Sequence, residues 1–162
     1  MTSMSCETLA RLLLNRGWML ATAESCTGGM IAARCTDLAG SSAWFDRGFV
    51  TYSNAAKSEL LGVSPELIAQ QGAVSETVAR AMAEGAVRRS GVQAAIAVTG
   101  IAGPTGGSLD KPVGTVWFAW ALPGHLESEC VHWSGNRQAV REQTTDHALK
   151  RLIEKLQRVE LK

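Results

Sequence analysis

The feature of the sequence that most constrains its fold is a continuous run of small apolar residues, Ala94 to Thr99, which precedes a glycine-rich stretch. A strand with one exposed face alternates polar and apolar residues, whereas a run without alternation is typical of a strand covered on both faces. Helices on both faces of a sheet provide that cover. The run therefore predicts a central strand of a layered α/β domain.

The other segments supply helices and strands without a strict alternation. Trp18–Glu24 and Phe45–Ser53 are strand-like, and two further strands flank the turn at Pro123-Gly124 as a hairpin. Thr27 to Leu38 has a helical composition, and Ser64 and Ser75 are expected to cap two further helices. A long amphipathic helix is expected from Asn136 onward. The fold class that follows is α/β: a single three-layer α/β/α domain over residues 1–162, with a mixed β-sheet.

Composition and charge exclude several functional classes. A chain of 162 residues with 46% hydrophobic and 19% charged residues is not intrinsically disordered. The net charge of +1 argues against a broad surface for nucleic acid, and no uncharged apolar stretch is suited to a membrane. The four cysteines form no Cys-x-x-Cys pair, so we expect no metal site. With no signal peptide in view, we expect a cytoplasmic protein.

The first candidate site is the stretch Ser25 to Gly29, at a strand-to-helix junction. Ligands of α/β sheets bind beyond the carboxyl ends of strands, and a helix start offers free N–H groups. Ser25, Cys26 and Thr27 are three adjacent nucleophile candidates. The alternative is an ordinary capping turn, with Ser25 or Thr27 as the N-cap.

The second candidate site pairs Tyr52, the only tyrosine, with Lys57 about one helical turn later. A lysine beside a hydroxyl can act as a general base if burial lowers its pKa. The alternative is a solvated lysine and a tyrosine that packs at the edge of the core.

Two further stretches could bind an anion. The loop Thr99 to Ser108 is glycine-rich and uncharged, but it matches neither the P-loop nor the dinucleotide fingerprint, and it could be a flexible connection. Arg137 and Arg141 lie four apart at the start of the last helix, where cations oppose the helix dipole. Their placement indicates a nearby anion, or a solvated pair partly matched by Glu142.

Together these stretches resemble one family, the C-terminal domain of the competence-damage-inducible (CinA) proteins. The resemblance covers almost the whole chain, in order. The segments that carry it are Thr22-Ala-Glu-Ser-Cys-Thr-Gly-Gly29, Gly40-Ser-Ser-Ala-Trp-Phe45, Arg47-Gly-Phe-Val-Thr-Tyr-Ser-Asn54 with Lys57, Gly72-Ala-Val-Ser75, Thr99-Gly-Ile-Ala-Gly-Pro104 and Lys111-Pro-Val-Gly-Thr-Val116.

The resemblance implies an activity: hydrolysis of the carboxamide of nicotinamide mononucleotide to nicotinate mononucleotide and ammonia, a step in pyridine nucleotide recycling. It implies no cofactor, and a homodimer is the expected assembly. On this scheme Ser25 attacks the amide carbon, Lys57 accepts its proton, and Tyr52 orients or relays that proton. The expected oxyanion and phosphate contacts come from Thr27, Gly28, Gly29, Thr99, Gly100, Ala102, Gly103 and either Arg137 or Arg141.

Two other functions compete with this hypothesis. A binding module could hold a nucleotide phosphate on the same glycine-rich loops without chemistry, although it would not need the complete set of Ser25, Tyr52 and Lys57. A damage-response interaction protein would be expected to expose a large apolar face, which the charged last helix does not supply.

Overall fold

A five-stranded mixed sheet forms the centre of the protein in the computed structural model, which describes the backbone of residues 3–160 and the side chains of residues 6–159. The strands lie in the order β2-β1-β3-β4-β5. Their bounds are β1 Leu20–Glu24, β2 Phe45–Val50, β3 Ala94–Gly100, β4 Thr115–Leu122 and β5 His125–His132. β1 runs parallel to β2 and β3, while β4 runs antiparallel to β3 and β5. The predicted mixed sheet and terminal hairpin are confirmed. Residues 1, 2, 161 and 162 of the predicted domain lie outside the described residues.

Within residues 3–160, six α-helices cover the sheet on both faces, which confirms the three layers. They are α1 Ser3–Arg16, α2 Met30–Thr36, α3 Asn54–Leu61, α4 Pro65–Gln71, α5 Glu76–Ser90 and α6 Arg137–Glu160. Helices α1, α2 and α6 pack on one face, and helices α3, α4 and α5 pack on the other. None of the helices within residues 3–160 is both long and apolar enough to span a bilayer.

The two faces of the central strand carry side chains of different size. Ile96 and Val98 point into the larger core cluster beneath α1 and α6, whereas Ala95 and Ala97 point toward α5. The cross-strand partners of these alanines, Ala121 and Ala119 on β4, are alanines as well. Small side chains allow α5 to approach the sheet closely, which explains why the central run is small as well as apolar.

The carboxyl ends of the three parallel strands meet at one edge of the sheet. Glu24, the last residue of β1, is paired with Val50 at the end of β2 and with Val98 on β3. The loops that follow these strands therefore converge, as expected for a ligand site in an α/β sheet. This edge brings together the first three candidate stretches of the sequence.

The second helix begins later than the sequence predicts. Composition indicated a helical segment from Thr27 to Leu38, but α2 begins at Met30. Gly28 and Gly29 have φ values of 59° and 107°, in the left-handed region that other residues rarely adopt. The residues before Met30 consequently form a turn, and this turn carries the candidate nucleophiles.

Close packing of α5 against α3 sets the position of the helix that carries Lys57. A Cβ atom at Gly85 would lie 2.1 Å from the carbonyl oxygen of Leu61, so only glycine fits at this contact. The absence of a side chain at Gly85 thus allows the end of α3 to rest on α5.

We predict that Gly85→Ala destabilises the protein although alanine is favoured over glycine in helices by about 1 kcal/mol. Overpacking of a tight contact costs about 1–3 kcal/mol, which exceeds that gain. Thermal unfolding of Gly85→Ala should show a lower Tm than the parent protein, and Glu84→Ala, at an exposed position of the same helix, should not. A Tm that is unchanged or higher in Gly85→Ala would contradict the packing described here.

Candidate active site

A buried lysine and a serine meet at the edge where the parallel strands end. The Nζ atom of Lys57, on α3, lies 3.1 Å from the Oγ atom of Ser25, in the turn after β1. Lys57 is 1% exposed and Ser25 is 8% exposed. Ser53 caps α3 by accepting a hydrogen bond from the N–H of Ala56, which fixes the first turn of the helix that presents the amine. The structure therefore joins the first and second candidate stretches in one site.

Burial of the Lys57 amine shifts its protonation equilibrium toward the neutral form, which can act as a base. Burial lowers the pKa of Lys57 below its ordinary value of 10.5, because the charged form loses its hydration. Nζ donates hydrogen bonds to the carbonyl oxygens of Thr51, at 2.9 Å, and Tyr52, at 3.3 Å. A neutral amine has only two N–H groups, so these carbonyls leave its lone pair to accept a proton from Ser25.

Among the three adjacent nucleophile candidates, the surroundings favour Ser25. Burial raises the pKa of the Cys26 thiol to about 11, so that side chain remains a weakly nucleophilic thiol. The hydroxyl of Thr27 is fully buried and donates to the carboxylate of Glu24, with an O–O distance of 2.6 Å. Only Ser25 has its hydroxyl beside the lysine amine.

Glu24 is a structural element of the site to which the sequence analysis gave no role. It is fully buried, and its carboxylate accepts hydrogen bonds from the hydroxyls of Thr22 and Thr27. It also accepts from backbone N–H groups at the start of α2, namely those of Gly29, Ile31 and Ala32. A negative charge is stabilised at a helix N-terminus, and these bonds compensate its burial. The sequence signal was an acidic residue at the end of an otherwise uncharged strand.

The position of Glu24 corrects the expected oxyanion contacts. The N–H of Gly29 donates to the Glu24 carboxylate, and the N–H of Gly28 donates to the carbonyl oxygen of Ser25, at 3.1 Å. Both groups were expected to hold the oxyanion, but they already have acceptors within the protein. Gly28 and Gly29 instead supply the backbone conformation of the turn.

The two arginines at the start of α6 have different partners. Arg141 directs two nitrogens to the nucleophile turn: Nε donates to the carbonyl oxygen of Cys26, at 3.0 Å, and Nη2 donates to that of Thr27, at 3.2 Å. Arg137 donates from Nη1 to the carbonyl oxygen of Gly103, at 2.7 Å, and from Nη2 to the Tyr52 hydroxyl, at 2.9 Å. Arg137 therefore links the second and third candidate stretches.

The expected proton relay through Tyr52 does not match its geometry. The Tyr52 side chain is 60% exposed, and its hydroxyl accepts from Arg137. Among the described contacts, the Tyr52 phenol touches neither Ser25 nor Lys57. Its carbonyl oxygen, rather than its hydroxyl, contacts the Lys57 amine.

The glycine-rich loop after β3 packs against the nucleophile turn. The Thr99 hydroxyl donates to the carbonyl oxygen of Ala73, and a Cβ atom on Gly100 would lie 3.2 Å from the Sγ atom of Cys26. Ala102 is buried and lines a cavity of about 460 Å³ with Arg137. Gly103 lies beside that cavity, where its carbonyl oxygen accepts from Arg137. Thr99 and Gly100 thus support the loop, while Ala102 and the carbonyl oxygen of Gly103 lie near the Arg137 side chain.

Comparisons with known proteins place the chain in a family. Residues 3–156 match the model of the CinA C-terminal domain. The chain belongs to the CinA C-terminal domain family. The similar proteins of this family include the nicotinamide-nucleotide amidohydrolase PncC of Enterobacter agglomerans, which is 57% identical over 135 residues, or 83% of this chain and 82% of that protein.

Two further relatives support the family assignment. The nicotinamide-nucleotide amidohydrolase PncC of Escherichia coli K12 is 54% identical over 149 residues, covering 90% of this chain and 89% of that protein. The crystal structure of a competence damage-inducible protein A from Klebsiella pneumoniae superimposes with a TM-score of 0.91 at 42% identity, covering 94% of this chain and 95% of that one. The CinA-like fold expected from the sequence is confirmed.

The lowered pKa of Lys57 predicts how amide hydrolysis at this site depends on pH. The protonated amine cannot accept the Ser25 proton, so kcat/KM should rise with pH and level off above the Lys57 pKa, with an apparent pKa below 10.5. Initial rates of ammonia release across about pH 6 to 10 measure this profile.

The matched controls for this profile are Lys57→Met and Lys150→Met. The first should be inactive at every pH, whereas the second, at an exposed position on α6, should retain the parent profile. A rate that stays flat or falls as the pH rises through this range would contradict the assignment of Lys57 as the base.

Proposed function

We propose that this protein is a nicotinamide-nucleotide amidohydrolase that converts nicotinamide mononucleotide and water to nicotinate mononucleotide and ammonia. The observation that carries the proposal is the buried contact of 3.1 Å between Lys57 Nζ and Ser25 Oγ at the sheet edge. It is supported by relatives named for this activity that are 54–57% identical over most of their length.

In the first half of the reaction, Ser25 Oγ attacks the carboxamide carbon while Lys57 Nζ takes the hydroxyl proton. The carbonyl oxygen of the substrate gains the negative charge of a tetrahedral intermediate. Collapse of the intermediate breaks the C–N bond, and the Lys57 ammonium returns its proton to the departing nitrogen, which leaves as ammonia. The acyl group remains on Ser25 as an ester.

In the second half, water replaces ammonia at the same position. Lys57 accepts a proton from the water as it attacks the ester carbon, and a second tetrahedral intermediate forms. The C–O bond to Ser25 then breaks, the proton returns to Ser25 Oγ, and nicotinate mononucleotide is released. One buried amine thus serves both steps, with no net change in the protein.

Arg137 is the arginine that we assign to the substrate phosphate. It lines the cavity of about 460 Å³ with Ala102 and Asn136, and it is held there by Gly103 and Tyr52. Arginine binds phosphate through parallel N–H donors, and one such residue suffices for a single phosphate in a protein of nearly neutral charge. The hydroxyl of Tyr52 then helps to hold Arg137 in position for the phosphate.

A nucleotide-binding module without chemistry is the competing function. Binding a phosphate does not require a lysine amine buried against a serine hydroxyl. Burial of an amine lowers the stability of the fold, so a pure binding module would gain nothing from this arrangement. The geometry of Ser25 and Lys57 therefore favours the enzyme. We also propose that the enzyme acts in the cytoplasm as a homodimer; light scattering of the purified protein would measure its assembly.

The proposed function predicts that purified protein releases ammonia from nicotinamide mononucleotide, and that Ser25→Ala abolishes the release. Loss of the nucleophile in a serine hydrolase lowers kcat by about 10⁶-fold. Cys26→Ala is the matched control, because its buried thiol has no role in the scheme and should leave kcat within about tenfold of the parent.

The same assay distinguishes the enzyme from the competing binding module. Binding of nicotinamide mononucleotide without any release of ammonia would support the module and overturn the enzyme. Near-normal turnover by Ser25→Ala, with turnover lost in Cys26→Ala, would transfer the role of nucleophile to Cys26.

A further inference from the structure

The backbone N–H groups beside the proposed nucleophile differ in their acceptors. Within residues 3–160, the N–H groups of Gly28 and Gly29 are hydrogen-bonded in the turn, that of Cys26 interacts with its own thiol, and that of Thr27 meets no acceptor. Unpaired N–H groups next to a nucleophile are the donors of an oxyanion hole. The unpaired donor left for the developing oxyanion is therefore at Thr27, beside the Cys26 N–H, whose thiol is only a weak acceptor.

The orientation of each donor is set by the carbonyl group of the same peptide unit. In a trans peptide the C=O and N–H bonds are coplanar and point in opposite directions, so a hydrogen bond to the oxygen also fixes the N–H. The peptide between Ser25 and Cys26 is fixed by the N–H of Gly28, which donates to the Ser25 oxygen. The peptide between Cys26 and Thr27 is trans, and its oxygen accepts from Nε of Arg141, at 3.0 Å.

Arg141 holds the next peptide as well. Its Nη2 donates to the Thr27 oxygen, at 3.2 Å, and that oxygen also accepts from the N–H of Met30. One planar guanidinium thus contacts two successive carbonyl groups of the nucleophile turn, from a helix distant in sequence. A guanidinium presents its donors in a rigid plane, which a lysine amine cannot reproduce.

From these contacts we infer that Arg141 is a positioning residue. It holds the carbonyl groups of Cys26 and Thr27 so that the Thr27 N–H faces the reacting carbonyl oxygen of the substrate. This inference rests on the proposed function and refines it, because it removes Arg141 from the candidate phosphate ligands and leaves Arg137. It also explains why a cation lies near the start of α6: its partners are the carbonyl oxygens of another segment.

The variant that separates the two roles is Arg141→Lys. Lysine binds phosphate as a point charge, so Arg141→Lys should retain most of its activity if Arg141 binds the phosphate. If Arg141 positions the turn, the variant should lose activity, because one amine cannot hold both carbonyl groups in the same plane. Loss of one oxyanion donor lowers kcat by about 10²–10³-fold, and a misoriented donor in Arg141→Lys should lower kcat by at least about tenfold with little change in KM.

Two substrates make the test sharper. Nicotinamide riboside lacks the phosphate but carries the same carboxamide. Arg141→Lys and Arg141→Ala should lose the same factor in kcat on the riboside as on the mononucleotide, and added guanidinium ion should restore part of the activity of Arg141→Ala. Arg137→Ala should show the opposite pattern: its kcat/KM should fall by a larger factor on the mononucleotide than on the riboside, chiefly through a raised KM. Arg158→Ala, an exposed position on the same helix, is the control.

Three results would overturn the inference. They are a raised KM with unchanged kcat in Arg141→Lys, an effect confined to the mononucleotide, and full activity in the lysine variant. If Arg141→Ala does not fold, as judged by its thermal transition, the comparison rests on Arg141→Lys. If the parent protein does not turn over the riboside, the split between kcat and KM on the mononucleotide decides.

Failure of the proposed function would be visible separately. In that case the parent protein itself releases no ammonia from the mononucleotide. The rate at which a fluorophosphonate probe labels Ser25 then replaces turnover, because the probe's phosphoryl oxygen also needs the oxyanion donors. Slower labelling in Arg141→Lys than in the parent protein and Arg158→Ala would support the inference, and equal labelling rates would overturn it.

Discussion

The burial of one amine determines how this site can work. Lys57 lies in the interior of the protein with its nitrogen beside the Ser25 hydroxyl, and burial lowers its pKa toward the range in which an amine can accept a proton. That position depends on the cap at Ser53, on the two carbonyl groups that hold the amine, and on the contact of α3 with α5. The layered fold thus holds the Lys57 amine where its charged form is less hydrated than in solvent.

A second constraint concerns the helix that follows the nucleophile turn. The start of a helix that follows a strand and a glycine pair is a common anion site. Here the carboxylate of Glu24 takes that position. The protein satisfies the first N–H groups of α2 from within, which is why we assign the oxyanion of the proposed reaction to a group earlier in the turn. Glu24 holds the turn from the helix side, and Arg141 holds it from α6. The turn that carries Ser25 is thus hydrogen-bonded to two side chains of opposite charge type.

Much of the fold could be predicted from the sequence, because its signals are local. The small apolar run Ala94 to Thr99 indicated a strand covered on both faces, and the caps at Ser64 and Ser75 marked the starts of α4 and α5. The predicted start of α2 at Thr27 was wrong, because Gly28 and Gly29 adopt positive φ values that end the turn before the helix begins at Met30. Helix boundaries depend on such single positions more than on the average of a segment.

The residues of the site were easier to predict than their contacts. The sequence pointed to Ser25 and Lys57 through motifs, and the structure brings them together. It could not distinguish Arg137 from Arg141, because both lie on the same side of α6 and only the folded chain shows which carbonyl groups each one meets. The contact of the Tyr52 hydroxyl with Arg137 could not be predicted for the same reason, since a side chain's neighbours across the fold are not encoded in its spacing.

The central claim is that Ser25 forms a covalent acyl intermediate with Lys57 as its base. Rapid acid quenching during turnover of nicotinamide mononucleotide, followed by proteolysis and fragment mass spectrometry, tests it most directly. We expect the mass of a nicotinate mononucleotide ester on Ser25, in the peptide between Arg16 and Arg34. An adduct located on Cys26 or Thr27, or an ammonia burst with no adduct at all, would contradict it.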